Sequence, residues 1–273
     1  MPRGDRGAGL GDAAVKLQDA VAPGIVGLLV LGGWEWLVRH YAVPSYVLPG
    51  PVAIWQALRA DWPLLAGSLL VTLRIALLAL LLAVSLGGLL AVAFAQSRWV
   101  ERAFFPYAVV LQVTPIVAIA PLILIWVDDV TVSLLICAWI VAFFPVLSNT
   151  VLGLNSADRN HLELFRLYGA SRWQTLWLLR LPGALPYFLA GLRVAGGLAL
   201  IGAVVAEFVA GAGGTGSGLA FRILEAGYQL KIPRMFAALA LISAAGIAIF
   251  AVLGLVQHLL LRRWHESAMK PEG

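Results

Sequence analysis

Apolar residues occur in long runs along this chain, and short polar segments separate the runs. Each run holds about 20 residues or more, which is the length that an α-helix needs to cross the hydrocarbon core of a bilayer. Backbone groups inside a bilayer must be hydrogen-bonded within their own segment, so we predict that these runs are helices. The pattern indicates an all-α integral membrane protein with six transmembrane helices, at about residues 24–42, 67–95, 104–126, 130–153, 183–209 and 235–261.

Shorter segments complete the predicted organisation. Residues 1–23 are predicted as a cytosolic tail, 24–262 as the six-helix transmembrane domain and 263–273 as a second cytosolic tail. A short interfacial helix is expected near residues 51–60. The first apolar run has no clear small-x-small cleavage site, so a cleaved signal peptide is the less favoured interpretation of the N-terminal end.

The composition agrees with this pattern and argues against several classes of function. Hydrophobic residues make up 61% of the chain and charged residues 12%, about half the charged share of a typical soluble domain. The formal net charge is +5, but the basic residues lie scattered near the ends of apolar runs, which favours membrane orientation over nucleic-acid binding. The four histidines and the single Cys137 show no metal-ligand or nucleophile–base spacing, so we expect no metal site and no catalytic residue.

The distribution of lysine and arginine predicts which side of the membrane each loop faces. With six spans and the N-terminus inside, twelve of the 19 basic residues lie in the cytosol, five lie outside and two lie within spans. Cytoplasmic loops carry an excess of Lys and Arg. We therefore expect a multi-pass protein of the bacterial inner membrane with both termini and the loop at residues 154–182 in the cytoplasm.

Residues 163–182 form the only long segment in the middle of the apolar chain that carries several polar and charged side chains. Gly169 interrupts it, and Ser171 with Gln174 forms the Ser-x-x-Gln pattern of a capping box. We predict a short helix, a stop at the glycine and a second helix that runs into Pro182. The first helix carries a set of apolar side chains that favour docking to another protein, namely Leu164, Phe165, Leu167 and Tyr168.

This segment resembles the EAA loop of ABC-transporter permease subunits. Glu163, Gly169 and the Leu-x-Leu-Pro sequence at residues 179–182 follow the spacing of that loop. The resemblance implies a cytosolic coupling helix in a groove of an ATPase subunit, and it assigns the contacts to Glu163, Leu164, Phe165, Tyr168, Gly169, Arg172, Leu181 and Pro182. Leu164 and Phe165 stand where the family usually has two small residues, and this departure predicts a widened ATPase groove.

A second motif lies in the third predicted span. TPIVAIAPLILIW, from Thr114 to Trp126, resembles an element that belongs to the pathway core of these permeases. Its prolines, Pro115 and Pro121, predict a kinked or broken helix. Together with Pro145 in the fourth span they are candidates for the pathway or its gate.

The adjacent carboxylates Asp128 and Asp129 follow the third span and leave two interpretations open. One is a cation site, and the other is a solvated outer turn. The turn is favoured because no histidine or third carboxylate is close in the sequence.

Glu207 is the strongest single candidate for a functional residue inside the predicted membrane region. It follows an apolar run near the outer end of the fifth span, where a buried carboxylate is costly unless it is paired or faces water. An acidic residue is common at this place in the resembling permeases. A role in the pathway or gate and a structural ion pair, with Arg74 or Arg222, both remain open.

The resemblance covers roughly residues 30–262 and implies the permease subunit of a type I ABC importer, of the group that takes up nitrate, sulfonates, taurine and pyrimidine precursors. Such permeases usually form homodimers with two cytosolic ATPases and receive solute from a periplasmic or lipid-anchored binding protein; membrane lipid surrounds them. The sequence contains no G-x-x-x-x-G-K-[ST] motif, so ATP and Mg²⁺ would be used by the partner subunit and no cofactor is expected in this chain.

Two other classes of function are weighed against this one. An ATPase-independent secondary transporter or channel would need intramembrane ionisable residues and often has internal repeats, and the sequence shows few such charges and no repeat. A membrane enzyme would need a catalytic constellation, which the sequence does not display. The substrate itself is left open.

Overall fold

The computed structural model describes residues 8–211 and 216–265, and every regular element in these ranges is helical. The helices are α1 (Ala8–His40), α2 (Pro51–Ala60), α3 (Trp62–Gln96), α4 (Arg98–Val113), α5 (Ile116–Trp126), α6 (Val130–Asn155), α7 (Arg159–Leu167), α8 (Arg172–Thr175), a π-helical turn (Leu176–Arg180), α9 (Leu181–Ala210), α10 (Leu219–Tyr228) and α11 (Ile232–His265). The predicted all-α class is confirmed, as is the short helix near residues 51–60.

Four helical stretches in the described ranges are long and apolar enough to cross a membrane, and a fifth is added if α4 and α5 count as one span. The four are Trp62–Gln96, Val130–Asn155, Arg172–Ala210 and Ile232–Arg262. The first predicted span, near residues 24–42, lies in helix α1 but is not one of them. The structure therefore gives a multi-pass helical membrane protein with four or five apolar spans, and the count of six stays a prediction.

The chain divides into two compact units. One consists of the described residues up to Trp62 together with Ala226–Ala237, and the other of the described residues in Pro63–Glu225 and from Ala238 onward. In the first unit, the Glu35 carboxylate accepts hydrogen bonds from the Arg39 Nε at 2.6 Å and from the Val52 N–H at 3.1 Å. Glu35 thus satisfies a free backbone donor at the start of α2, which is a structural role.

In the second unit, α6 and α9 pack at very short range because glycines lie where the helices meet. A Cβ atom at Gly202 would come within 2.9 Å of the Ala138 Cα, and one at Gly191 within 2.7 Å of the Pro145 carbonyl oxygen. Small residues at such contacts let membrane helices approach closely without a hydrophobic driving force. This packed pair forms the core on which the candidate site is built.

The predicted break in the third span is confirmed at Pro115. Helices α4 and α5 meet at 101° there, since the residue before a proline is driven out of the helical region and Thr114 has ψ of 121°. Pro121, by contrast, lies inside α5 without ending it. Helix α4 begins at Arg98, six residues before the predicted start of the third span at residue 104, with the Ser97 hydroxyl accepting from the Val100 N–H at 3.4 Å.

Candidate functional site

Helix α7 and the turn after it form the first part of the candidate site. The Asp158 carboxylate accepts from the Asn160 N–H at 2.6 Å and so caps the start of the helix. Gly169 has φ of +69°, a left-handed conformation that glycine adopts without strain. The Ala170 N–H then closes the end by donating to the Phe165 carbonyl at 2.9 Å, so the predicted glycine stop is present, while the helix begins at Arg159 and not at Glu163 as predicted.

The predicted capping box is also present. The Ser171 hydroxyl accepts from the Gln174 N–H at 3.2 Å, and the Gln174 side chain accepts from the Ser171 N–H at 2.7 Å. It starts a helix that continues without interruption from Arg172 to Ala210. The helix runs into Pro182 as predicted, and it continues past the proline into the fifth predicted span. The proline ring would meet the carbonyl of the residue four positions earlier, and the wider π-helical turn in front of it relieves that conflict.

Helix α7 presents two different faces. Residues 159, 162, 163 and 166 recur at helical spacing and line a cavity of about 850 Å³. The opposite side carries Leu164, and at the end of the helix Leu167 and Tyr168 are more than four-fifths exposed. Glu163 therefore lies apart from the apolar side chains with which the sequence grouped it.

The remaining residues of the predicted coupling site are dispersed. Phe165, Leu181 and Pro182 are half-buried, and Leu181 packs against a buried cluster that includes Phe94 and Leu147. Arg172 is exposed and lines a second cavity, of about 640 Å³. Only part of the predicted set thus forms a free surface.

The second part of the candidate site surrounds Glu207, which is 3% exposed. Its Oε2 accepts from the Thr72 hydroxyl at 3.1 Å and from the Ala220 N–H at 3.0 Å. The Thr72 oxygen in turn accepts from the Leu219 N–H at 2.9 Å. Because the two backbone donors belong to the first turn of α10, the carboxylate caps that helix, where a negative charge is favourable.

Gly218 completes this arrangement. A Cβ atom on Gly218 would collide with the carboxyl group of Glu207. The backbone can therefore pass this close to the carboxylate only at a residue without a side chain. The Glu207 Oε1 has no hydrogen-bond partner among the residues that the structure describes. Of the two basic residues considered as partners, Arg222 donates to the Ser68 hydroxyl at 3.0 Å and to Glu225 at 2.8 Å.

The three candidate prolines differ in their surroundings. Pro115 and Pro121 are exposed on the bent pair α4–α5. Pro145 is buried in α6, and its carbonyl accepts from the Asn149 side chain at 2.9 Å. Asp129 caps α6 by accepting from the Val132 N–H at 3.0 Å, which gives one of the two adjacent carboxylates a structural role.

Sequence reasoning missed three residues that the fold brings into use. Thr72 and Gly218 belong to the Glu207 network, and Arg193 places its guanidinium carbon 3.8 Å from the centre of the Phe250 ring within the membrane region. A signal for Thr72 was available, because Ser68 and Thr72 lie one helical turn apart in an otherwise apolar run. Gly218 had no such signal, since it lies in the segment before α10 and its close contact is with Glu207 of helix α9.

Comparison with known proteins defines the family. The family described as binding-protein-dependent transport system inner membrane component matches residues 83–266. The riboflavin transport system permease protein RibX of Chloroflexus aurantiacus is 35% identical over 244 residues, which cover 88% of this chain and 88% of the relative. The formylaminopyrimidine transport permease protein ThiX of Halalkalibacterium halodurans is 34% identical over 247 residues, which cover 90% of this chain and 97% of the relative.

A solved structure gives the same result for the fold. The crystal structure of an amino acid ABC transporter with histidines aligns with a TM-score of 0.61 at 19% identity, over 76% of this chain and 97% of the other. The chain thus belongs to the family of inner membrane components of binding-protein-dependent transport systems. The resemblance to ABC importer permeases is confirmed, and with it the function as a membrane permease for a small solute. A permease of this family is not catalytic itself and works with an ATPase and a binding protein.

Proposed function

We propose that the chain forms one half of a homodimeric type I importer core with six transmembrane helices and both termini in the cytoplasm. The observation that carries the proposal is the exposed outer side of α7, held between an aspartate cap and the Gly169 stop. ATP binding would close a pair of ATPase subunits and draw the two loops together. The permease cores would then open outward to receive solute from the binding protein, a shift driven by differential affinity for the two conformations.

Within this proposal, Leu164 and Tyr168 dock into the ATPase, while Glu207 holds the start of α10 against α3 near the outer end of the pathway. Leu164 lies on the outer side of α7 and Tyr168 directly follows the helix; Tyr168 is 84% exposed. Exposed apolar side chains next to polar ones are typical of interaction surfaces. ATP and Mg²⁺ are bound by the ATPase subunit, and this chain holds no cofactor.

The proposed solute is a small heteroaromatic compound delivered by a binding protein. The relatives named for riboflavin and for formylaminopyrimidine are matched at 35% and 34% identity over most of the chain. The nitrate import permease protein NrtB of Synechococcus elongatus is matched at 29% over 54% of the chain. The test is thermal shift of the partner binding protein with riboflavin, a formylaminopyrimidine, taurine and nitrate, and stabilisation by taurine or nitrate alone would contradict the proposal.

The test of ATPase coupling uses the tagged full-length chain, purified with its ATPase and reconstituted with the binding protein. We expect that Leu164→Asp abolishes both co-purification of the ATPase and the stimulation of ATP hydrolysis by loaded binding protein. Leu164→Met, which keeps the apolar surface, is the control and should retain both. Solute uptake by proteoliposomes that contain the chain without any ATPase would favour a secondary transporter or channel instead.

A further inference from the structure

The two cavities beside α7 form one cleft. They share Arg98, Arg166 and Arg180 among their lining residues, and their volumes are about 850 and 640 Å³. Volumes of this size fall in the range of roughly 300–1,000 Å³ that small-molecule sites occupy. We call this joint space the basic cleft; the ends of α3, α4, α6 and α7 and the π-helical turn enclose it.

The basic cleft carries a clear excess of positive charge. Six arginines and two glutamates line it, namely Arg98, Arg102, Arg159, Arg166, Arg172, Arg180, Glu101 and Glu163. In the described part of the chain none of these arginines lies within 4.0 Å of a carboxylate. Arg180 is held by donating to the Ala95 carbonyl at 3.1 Å, and the other five make no side-chain hydrogen bond to any residue that the structure describes. Guanidinium groups bind phosphate oxygens with charge-assisted hydrogen bonds.

The cleft is amphipathic as well as basic. Phe94 and Leu154 are buried at its floor, and Phe105 packs edge-on against Phe94 with ring centres 6.4 Å apart. Trp99 and Trp173 directly follow the lining residues Arg98 and Arg172 in the chain, and they are 75% and 61% exposed. Exposed tryptophans are typical of the membrane–water boundary, where one part of the ring is in contact with lipid. A ligand that carries both a phosphate and apolar chains matches this combination.

We propose that the basic cleft binds the headgroup of an anionic phospholipid, with the phosphodiester among Arg98, Arg166 and Arg180. This inference rests on the proposed orientation, which puts α7 at the cytoplasmic surface of the membrane. Basic pockets between transmembrane helices on that side are suited to anionic headgroups. The occupant is a lipid and not the ATPase, because the cleft side of α7 is opposite the exposed Leu164 and Tyr168. The apolar floor favours a lipid over free phosphate.

The bound headgroup joins the first turn of α4 to α7. Arg98 is the first residue of α4, and Arg166 lies in the last turn of α7. Without a bound anion, the guanidinium groups of the cleft repel one another. A bound phosphate attracts all of them and so offsets this repulsion. Anionic lipid is therefore expected to stiffen the α7 segment.

The experiment measures thermal unfolding of the purified full-length chain in neutral detergent with added dioleoyl phosphatidylglycerol or dioleoyl phosphatidylcholine. We expect only phosphatidylglycerol to raise the Tm, with a saturable response. In the Arg98→Gln/Arg166→Gln double variant the apparent affinity should fall about 25-fold, since each basic residue near an anionic surface contributes about a factor of five. Arg262→Gln, an exposed arginine of α11 outside the cleft, is the matched control and should retain wild-type affinity.

Several outcomes would overturn the proposal. An equal loss in Arg262→Gln would mean diffuse attraction to the micelle, and an unchanged response in the double variant would place the lipid elsewhere. A rise in Tm of the same size with inorganic phosphate would make the cleft a free-anion site. Loss of ATPase co-purification in the double variant, with an intact lipid response, would make the cleft a protein-docking surface. Because the lipid assay uses the chain alone, its result does not depend on whether the proposed coupling through Leu164 holds.

Discussion

The α7 region and the Glu207 region handle charge in opposite ways. Around α7, arginines stand exposed without carboxylate partners among the described residues. Around Glu207, a single carboxylate is 3% exposed and receives hydrogen bonds from a threonine hydroxyl and a backbone N–H. An unpaired charge is inexpensive near water and costly in a low-dielectric interior. The comparison suggests that α7 is built to meet other molecules and that Glu207 is built to hold the chain's own segments together.

The sharpest test of this contrast is Gly218→Ala. The new Cβ would collide with the Glu207 carboxyl, so the segment before α10 must move and the bonds from Leu219 and Ala220 are lost with it. We expect a loss of about 3 kcal/mol, which is at the upper end of the usual range for overpacking. Thermal unfolding in detergent measures it.

The control for Gly218→Ala lies two residues away. At Gly216 nothing among the described residues lies within 4 Å of an added Cβ, so Gly216→Ala should leave the Tm nearly unchanged. Equal effects of the two substitutions would mean that the region resists any added methyl group and that contact with Glu207 is not the cause.

Thr72→Val should have the next largest effect. The substitution keeps the volume but removes the hydroxyl that faces Glu207 and accepts from the Leu219 N–H. We expect a loss of about 1–2 kcal/mol, because the Leu219 N–H then lacks a partner and the Glu207 Oε2 keeps only the bond from the Ala220 N–H, and because hydrogen bonds between membrane helices contribute modestly. Thr72→Ser retains the hydroxyl and should recover most of the stability in the same assay. If Thr72→Ser is as unstable as Thr72→Val, the methyl group and not the hydroxyl matters.

Gly169→Ala tests the α7 region through its backbone. Alanine in the left-handed conformation, with φ near +69°, costs about 1 kcal/mol. Because this strain disturbs only the end of α7, we expect Gly169→Ala to lower the stimulation of ATP hydrolysis by loaded binding protein. The Tm of the whole chain should change little. Gly183→Ala in helix α9, where nothing described lies within 4 Å of an added Cβ, is the matched control and should not reduce coupling.

The smallest effect on stability is expected from Arg166→Gln. This exposed side chain has no ion pair in the described structure, so the free energy of unfolding should change by less than about 0.5 kcal/mol. Chemical or thermal unfolding in phosphatidylcholine-containing detergent provides the measurement. A loss comparable to that of Thr72→Val would show that the α7 arginines also have a structural role, and the contrast between the two regions would disappear.

Several local features could be predicted because neighbouring residues determine them. The capping box of Ser171 and Gln174, the stop at Gly169 and the break at Pro115 all follow from the conformations that individual residues allow. The continuation of the helix through Pro182 could not be predicted in this way. It depends on a π-helical turn just before the proline, and residues from Leu176 to Arg180 give no distinct signal for it.

What the sequence alone determined is the helical membrane class, the importer-permease family and the end of α7 at Gly169, because apolar run length, motif spacing and glycine conformation are properties of the chain itself. The start of α7 at Arg159, behind the Asp158 cap, was not predicted. Only the tertiary structure decided what surrounds Glu207. Its partners Thr72 and Ala220 come from other helices, 135 and 13 residues away along the chain. The tertiary structure likewise divided α7 into an outer side and a cleft side, since the cleft exists only where α3, α4, α6 and α7 come together.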